Sequence, residues 1–410
     1  MKFLHAADIH LDSPLAGLTR RDIVPPHVTR TCTRRAFENL IDLAIAEDVA
    51  FVLIAGDLYD ADWRDFSTGL FFADQMRRLG RPCLLIRGNH DAASVITRSL
   101  EPPPNVTVLS ARKVESVRLD AFGVVIHGQS FPNRAVPEDL SAAYPPPVAG
   151  RLNIGMLHTS AEDPGEHETY APCRIESLAL KGYDYWALGH IHIRQELRPT
   201  IIFPGNIQGR NPRETGAKGC TLVHVTDNRI VRTEHRPTDV LRWAQVPVDV
   251  NGAETTAEIA AHMRFALASA MQAADGRPLI VRLTLQGATD CHAAMLADPQ
   301  AIDAECRNAA AAVSGDLYIE RVRIDTRMTA AGANYSGDSI AQLEEAFRAA
   351  LDDPDTQGRI IEDIRALAAQ VPRLAGRPQP DLPVTAEALK ALAPEVWHGI
   401  AHALMQGDPA

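Results

Sequence analysis

An α/β fold is predicted by three features of this 410-residue chain. Apolar runs of strand length alternate with helical stretches through the first 90 residues, as in βαβ units on a mostly parallel sheet covered on both faces. Short strands and turn residues dominate from 106 to 236. Near Thr238 the texture changes to a smaller α/β pattern, and after Gly337 to helices. Boundaries placed there divide the chain into residues 1–238, 239–335 and 336–410.

The first strand is expected at Phe3–Ala7. Ala36, Leu40, Leu43 and Ala44 recur at helical spacing and predict a helix over Val28–Ala46. Phe51–Ala55 is a continuous apolar run closed by Gly56, the pattern of a buried strand. A helix over Phe66–Leu79 and the strand Cys83–Ile86 follow. Pro102–Pro104 and Pro145–Pro147 mark surface loops. Strands are expected at Phe122–His127, Leu152–Leu157 and Tyr183–Leu188. Asp227-Asn228 reads as the turn of a hairpin joining Thr221–Val225 to Arg229–Thr233. Val246–Val250, Leu279–Leu285 and Leu317–Ile324 alternate with helices near Thr256–Ala273 and Ala301–Val313. Helices near Ser339–Leu351 and Arg359–Ala369, a linker at Pro372–Pro383 and a helix over Ala386–Met405 complete the pattern.

Composition narrows the class. Hydrophobic residues make up 46% and charged residues 23%, ordinary for a soluble globular protein. No apolar run approaches the roughly 20 residues of a membrane span, and the N-terminus reads as a strand, not a signal peptide. The scattered Cys32, Cys83, Cys173, Cys220, Cys291 and Cys306 have no ligand spacing; separate reduced thiols in a cytoplasmic protein are expected. Net charge is −11, but residues 1–240 hold 27 Lys+Arg against 29 Asp+Glu, whereas 241–410 hold 14 against 23. Eleven of the 15 histidines precede residue 241, so ligand chemistry belongs to the first part. The acidic total argues against non-specific coating of nucleic acid, though not against a local basic groove.

That chemistry gathers at strand ends. Asp8-Ile9-His10 closes the first strand, and residues i and i+2 of an extended chain point the same way. Gly56-Asp57-Leu58-Tyr59-Asp60 closes the second, and Gly88-Asn89-His90-Asp91 the third. His158 follows Leu152–Leu157, and Gly189-His190-Ile191-His192 follows Tyr183–Leu188. Five strand ends thus deliver carboxylates, an amide and imidazoles toward one rim, where open α/β sheets place their functional loops.

The order D-x-H, G-D-x-x-D, G-N-H-D, H, G-H-x-H resembles that of the calcineurin-like metallophosphoesterases over about residues 1–235. The resemblance implies a core of two layered sheets flanked by helices, then a small α/β capping domain and C-terminal helices. It also implies a pair of divalent metal ions. Carried over, Asp8, His10, Asp57 and His192 would hold one ion. Asp57, Asn89, His158 and His190 would hold the other, with Asp57 bridging. Mixed oxygen and imidazole ligands suit Mn²⁺ best, with Fe²⁺, Zn²⁺ or Mg²⁺ as alternatives. Two such ions bind both the attacking and the phosphate oxygens, and a water bridging them becomes a hydroxide nucleophile at neutral pH. His90 is no ligand in the family pattern; it would orient the phosphate or protonate the leaving oxygen, with Asp60 beside it. Some relatives outside the bacterial branch carry a histidine where this chain has Asp60. Asp91 is expected to brace the loop.

Phe3–Pro14, Phe203–Arg210 and Glu214–Gly219 are similar to SbcD-type DNA-repair exonucleases, and more closely to their YhaO-like bacterial branch. Asn206 stands where relatives often have serine. This resemblance implies a DNA exonuclease of 3′→5′ polarity, with endonuclease activity also conceivable, and an SbcC-type coiled-coil ATPase as partner; a homodimer is a further expectation. A small-molecule or cyclic-nucleotide phosphodiesterase and a non-catalytic scaffold subunit are the alternatives. Arg210 and Lys218 are the leading candidates for substrate phosphate; Arg194, Arg198, Arg213 and the group Arg30, Arg34 and Arg35 are weaker ones. His5 and His127 are expected to be packed structural histidines, and His167, His224 and His235 to be surface or core residues. Ile340, Leu343, Ala346 and Phe347 form one C-terminal apolar stripe, and Leu389, Leu392, Trp397 and Ile400 another, suited to a partner or to the chain's own core.

Overall fold

The computed structural model describes residues 1–13, 15, 18, 24–29, 31–60, 65–93, 101–161, 170–329, 338–370 and 382–405. Arg30, His167 and most of the expected Pro372–Pro383 linker lie outside the described residues. Contacts divide the chain into two compact units. One comprises residues 1–245 with 271–281 and 316–320; the other comprises 246–270, 282–315 and 321–410.

The first unit is built on two six-stranded sheets. The strands are β1 (Lys2–Ala6), β2 (Val52–Ala55), β3 (Cys83–Ile86), β4 (Val106–Val108), β5 (Glu115–Leu119), β6 (Val124–Gly128), β7 (Leu152–His158), β8 (Tyr185–Gly189), β9 (Gln195–Arg198), β10 (Ile201–Phe203), β11 (Gly219–Thr226) and β12 (Arg229–Pro237). One sheet has the order β12-β11-β1-β2-β3-β4, the other β5-β6-β7-β8-β10-β9. Strands β1 to β4 pair in parallel, as their alternation with helices requires. At the β11–β12 turn Asp227 and Asn228 both take left-handed φ (50° and 56°), as a two-residue hairpin demands.

Alternate residues of β2 enter different cores, which explains its uninterrupted apolar run. Val52 and Ile54 pack with Phe37, Leu40 and Ile41 of helix α2 (Cys32–Ala46) and with Phe72 and Met76 of α3 (Phe66–Leu79). Leu53 and Ala55 pack with Ile126, Ile154, Met156 and Tyr185 of the second sheet. The sheet is thus covered on both faces as expected, by helices on one and by the second sheet on the other. Each of the larger apolar side chains so buried contributes roughly 1.5–3 kcal/mol. The outer face of the second sheet packs Trp186 and Leu188 against Leu178 of a short helix at Ile175–Leu180. The expected helix over Val28–Ala46 is broken: a turn of helix, α1, occupies Pro26–Thr29, and α2 starts at Cys32.

In the second unit a helix at Thr256–Ala273 packs Met263 on Cys306 of another at Pro299–Val313, their sulfurs 3.3 Å apart. Helices at Asp338–Asp352, Pro354–Gln370 and Ala386–Met405 touch one another, and the last also packs on a helix at His292–Ala297. The two apolar stripes meet in part: Phe347 and Trp397 are in ring contact at 5.6 Å, and Leu389 is buried, whereas Leu343 and Ile400 are exposed.

His5 and His127 are held in the core of the first unit. His5 donates from Nε2 to the Leu188 carbonyl (3.1 Å) and accepts at Nδ1 from the Tyr185 hydroxyl (3.0 Å). His127 bonds Ser116 and Asn153. Burial holds the His5 imidazole down to about 3, against 6.5 for the free side chain. Below 6.5 the unfolded chain therefore takes up a proton that the folded chain refuses, and stability falls as pH falls. From pH 6.5 to 5 this costs on the order of 2 kcal/mol. Urea midpoints of the metal-free chain should drop over that window, and drop less in His5→Gln. Equal slopes in the two proteins would rule the account out.

Candidate metal centre

The residues after β1 leave the extended conformation at once. Asp8, His10 and Asp12 take left-handed φ of 51°, 46° and 58°, and Asp57 and His190 take 52° and 108°. The expected convergence of Asp8 and His10 is thus real but arises differently from an extended chain with i, i+2 spacing. The chain curls while its backbone stays paired with the loop after β2. Asp8 donates to the Gly56 carbonyl at 3.0 Å, His10 to Asp57 at 3.0 Å and Leu11 to Leu58 at 2.9 Å. Left-handed backbone costs an L-residue roughly 1–2 kcal/mol, a strain that collects at functional sites.

All seven expected metal-ligating residues are brought together. Ligand atoms of Asp8, His10 and His192 lie within 4.8 Å of one another, as do those of Asp8, Asp57 and His158. Asp57 Oδ2 is 3.9 Å from His10 Nε2 and 3.5 Å from His158 Nε2. Asn89 Oδ1 lies 3.0 Å from His158 Nε2. The His190 backbone N–H donates to both oxygens of Asp8 (3.1 and 3.0 Å), and its ring stands edge-on to His158 at 5.2 Å.

Hydrogen bonds on the far sides of the rings fix their tautomers. His158 Nδ1 donates to the Ala55 carbonyl (3.0 Å), and His192 Nδ1 donates to Glu214 (2.8 Å). Both partners can only accept, so Nδ1 carries the hydrogen and each Nε2 faces inward, where it can take a metal ion or a proton. His10 Nε2 and His192 Nε2 face each other at 3.3 Å, and His158 Nε2 faces the oxygens of Asn89 and Asp57. Asp8, His10, Asp57 and His158 are no more than 1% exposed. Carboxylate, amide and imidazole groups packed against one another in a buried place need compensating positive charge, from protons or from metal ions. Oxygen and imidazole donors without thiolate fit hard or borderline divalent ions. Burial pushes Asp57 up, but His158, His10 and His90 outweigh it and hold the carboxyl well below its ordinary range. Burial lowers His158, yet the Asp57 charge prevails and raises it to about 9. A proton and a metal ion compete for that nitrogen.

His90 stands beside this cluster on a short helix, α4 (Asn89–Ala93). Its backbone N–H donates to Asp57 Oδ1 (2.9 Å), and its Nδ1 lies 2.8 Å from Asp60 Oδ1. Asp60 Oδ2 accepts from the Ser13 hydroxyl (2.6 Å) and lies 3.5 Å from the Arg210 guanidinium, which also donates to Ser13 Oγ (2.9 Å). The His90 side chain is 30% exposed, beside the partly exposed His190 and His192 and the buried Asp8, His10, Asp57, Asn89 and His158, so a substrate can reach it. Asp91 accepts from the backbone N–H groups of Leu58, Tyr59 and Gly88, tying the loops after β2 and β3 together.

The substrate-contact expectations divide. Arg210 borders the site through Asp60. Lys218 is corrected: it is buried, and its ammonium donates to the His192 backbone carbonyl at 2.9 Å, so it steadies a ligand loop and is not presented to a phosphate. Arg194 is engaged by Thr221 and Glu196, Arg34 by Asp12, and Arg198 by Glu176. His224 is paired with Glu234 and His235 is half-buried on β12. Two residues have positions that sequence reasoning missed, Ser13 and Glu214. Burial pushes the Glu214 carboxyl up, but the His192 hydrogen bond and the charges of His192 and Arg210 hold it down to about 2.

Comparison with known proteins places this arrangement. A family model described as calcineurin-like phosphoesterase matches residues 1–194, and one described as metallophosphoesterase YhaO, middle domain, matches residues 243–327. An uncharacterized metallophosphoesterase YhaO of Bacillus subtilis is 37% identical over 298 residues, covering 70% of this chain and 72% of that protein. The DNA double-strand break repair protein Mre11 of Sulfurisphaera tokodaii is 26% identical over 244 residues, 54% of this chain and 59% of that one. Mre11 of Sulfolobus acidocaldarius is 28% identical over 211 residues, 48% and 50% of the two chains. The chain thus spans between half and three-fifths of the length of these two repair proteins.

Gly88 gives a direct test of the packing. A Cβ there would stand 2.3 Å from Asp57 Oδ1 and 2.7 Å from His158 Nε2. Gly88→Ala must displace one of the two, and Mn²⁺ affinity measured by calorimetry should fall at least about tenfold in a protein that remains folded. Affinity equal to the wild type would show that Asp57 and His158 are not the ligands.

Proposed function

Because the chain belongs to the calcineurin-like metallophosphoesterase family, we propose that its hydrolysis of phosphoester bonds is directed at DNA, as a Mn²⁺-dependent exonuclease. The observation that carries the reading is a set of converging carboxylate, amide and imidazole donors, buried at Asp8, His10, Asp57, Asn89 and His158, with the partly exposed His90 held by Asp60 at its edge. Similarity to Mre11 repair proteins over about half the chain supports DNA as substrate. On this reading cleavage starts at duplex ends with 3′→5′ polarity.

Asp8, His10, Asp57 and His192 would hold one divalent ion, and Asp57, Asn89, His158 and His190 the other. Ions so held supply charge for the phosphate oxygens and acidify water. The chain's own residues do the rest. His10 and His158 both lie against Asp57, and His192 faces His10, so the partly exposed His90 beside them is placed to meet the phosphate. Asp60 accepts a hydrogen bond from His90 Nδ1–H and favours the protonated ring, whose Nε2–H can then be given to the departing sugar oxygen while Nδ1–H stays in place. Arg210, next to Asp60, adds positive charge at the same edge.

The partner is proposed to be an SbcC-type coiled-coil ATPase. Leu343, Val396 and Ile400, exposed on the C-terminal helices, offer it an apolar surface. The six cysteines are buried free thiols, in keeping with a cytoplasmic setting. No described helix is long and apolar enough to cross a membrane.

Linear duplex DNA, single-stranded DNA, a cyclic nucleotide and an aryl phosphodiester, each incubated with the full chain and Mn²⁺, should show degradation of duplex ends. Hydrolysis of the cyclic nucleotide with duplex DNA left intact would overturn the DNA assignment. His90→Gln should slow cleavage of the aryl phosphodiester by about 10²–10⁴-fold with Mn²⁺ stoichiometry unchanged. Loss of bound metal in that variant would make His90 a ligand instead.

A further inference from the structure

One buried carboxylate outside the expected ligand set has all of its acceptor capacity in use. Glu214 Oε1 accepts from His192 Nδ1 at 2.8 Å and from the Asn211 amide at 2.9 Å. Its Oε2 accepts from the Asn206 amide at 2.8 Å and from the Arg210 backbone N–H at 2.7 Å. A carboxylate offers about four acceptor positions, and here four donors meet them. Glu214 is 5% exposed, so water does not compete for these bonds.

The donors belong to two different parts of the site. His192 faces His10 Nε2 with its other nitrogen. Arg210, whose backbone N–H Glu214 holds, carries a guanidinium that bonds Ser13 and borders Asp60, and Asp60 holds His90. A single carboxylate therefore anchors a metal-facing imidazole and the loop that supports the proton-donating one. We propose that Glu214 is a positioning residue that fixes His192 with Nε2 toward the metals and sets Arg210 against the Asp60–His90 pair. The inference rests on the metal-centre reading above, but not on the identity of the substrate.

Glutamine has the same shape and the wrong donors. Its amide has one oxygen, so either His192 and Asn211 or Asn206 and Arg210 would confront an NH₂ group. Two measurements that need no turnover test the inference. In the wild-type, metal-free chain, ¹⁵N NMR of the histidine rings should show His192 in the Nδ1–H tautomer. In Glu214→Gln, with folding checked by circular dichroism, calorimetric Mn²⁺ affinity should fall by about 10–100-fold, and the His192 ring should lose its fixed tautomer. An Nε2–H tautomer in the wild type, or Mn²⁺ affinity in the variant within about twofold of the wild type, would overturn it. These outcomes are separable from the functional reading: a chain that leaves DNA uncut but shows both effects keeps the inference. A chain that cuts DNA and shows neither loses the inference alone.

Discussion

Asp57 is a carboxylate with almost no access to water, set between the imidazoles of His10 and His158 and beneath the backbone N–H of His90. A buried charge of that kind is tolerated only where compensating charge is built around it. Much of the first unit serves that requirement. The backbone after β1 curls into left-handed conformations to bring Asp8 and His10 alongside. Gly88 leaves room where any Cβ would strike Asp57 or His158. Asp91 ties the loop carrying Asp57 to the loop carrying Asn89.

The two-sheet architecture supplies what a single sheet could not. The first sheet delivers Asp8, Asp57 and Asn89, and the second delivers His158, His190 and His192. Packing of Leu53 and Ala55 with Ile126, Ile154 and Met156 sets the distance between the two groups of candidate ligands. A core substitution that shifts one sheet against the other would thus be felt as a change in ligand geometry, because packed interiors yield little.

Much of this is legible in the sequence, for a physical reason. Polar side chains such as Asp57, Asn89 and His158, placed directly after continuous apolar runs, have few roles other than binding something. The strands themselves are plain from the runs. Less plain is what covers them: the apolar run Phe51–Ala55 shows burial on both faces but does not say that one cover is a sheet. The curl after β1 is hidden for a similar reason, since the spacing of Asp8 and His10 fits an extended chain as well. Glu214 was hardest to see. Its importance comes from a loop fold that gathers Asn206, Arg210 and Asn211 around it, and no spacing rule marks such a residue. Lys218 illustrates the converse, a basic residue near a motif whose charge is directed inward to the His192 carbonyl.

The shared role of Asp57 is the central claim, and metal stoichiometry tests it most directly. Equilibrium dialysis of the metal-free full chain against Mn²⁺ should give two ions per chain. Asp57→Asn, which keeps the side chain's size and removes its charge, should retain neither at the same free metal concentration. An Asp57→Asn protein that still takes up two ions at wild-type affinity would contradict the account.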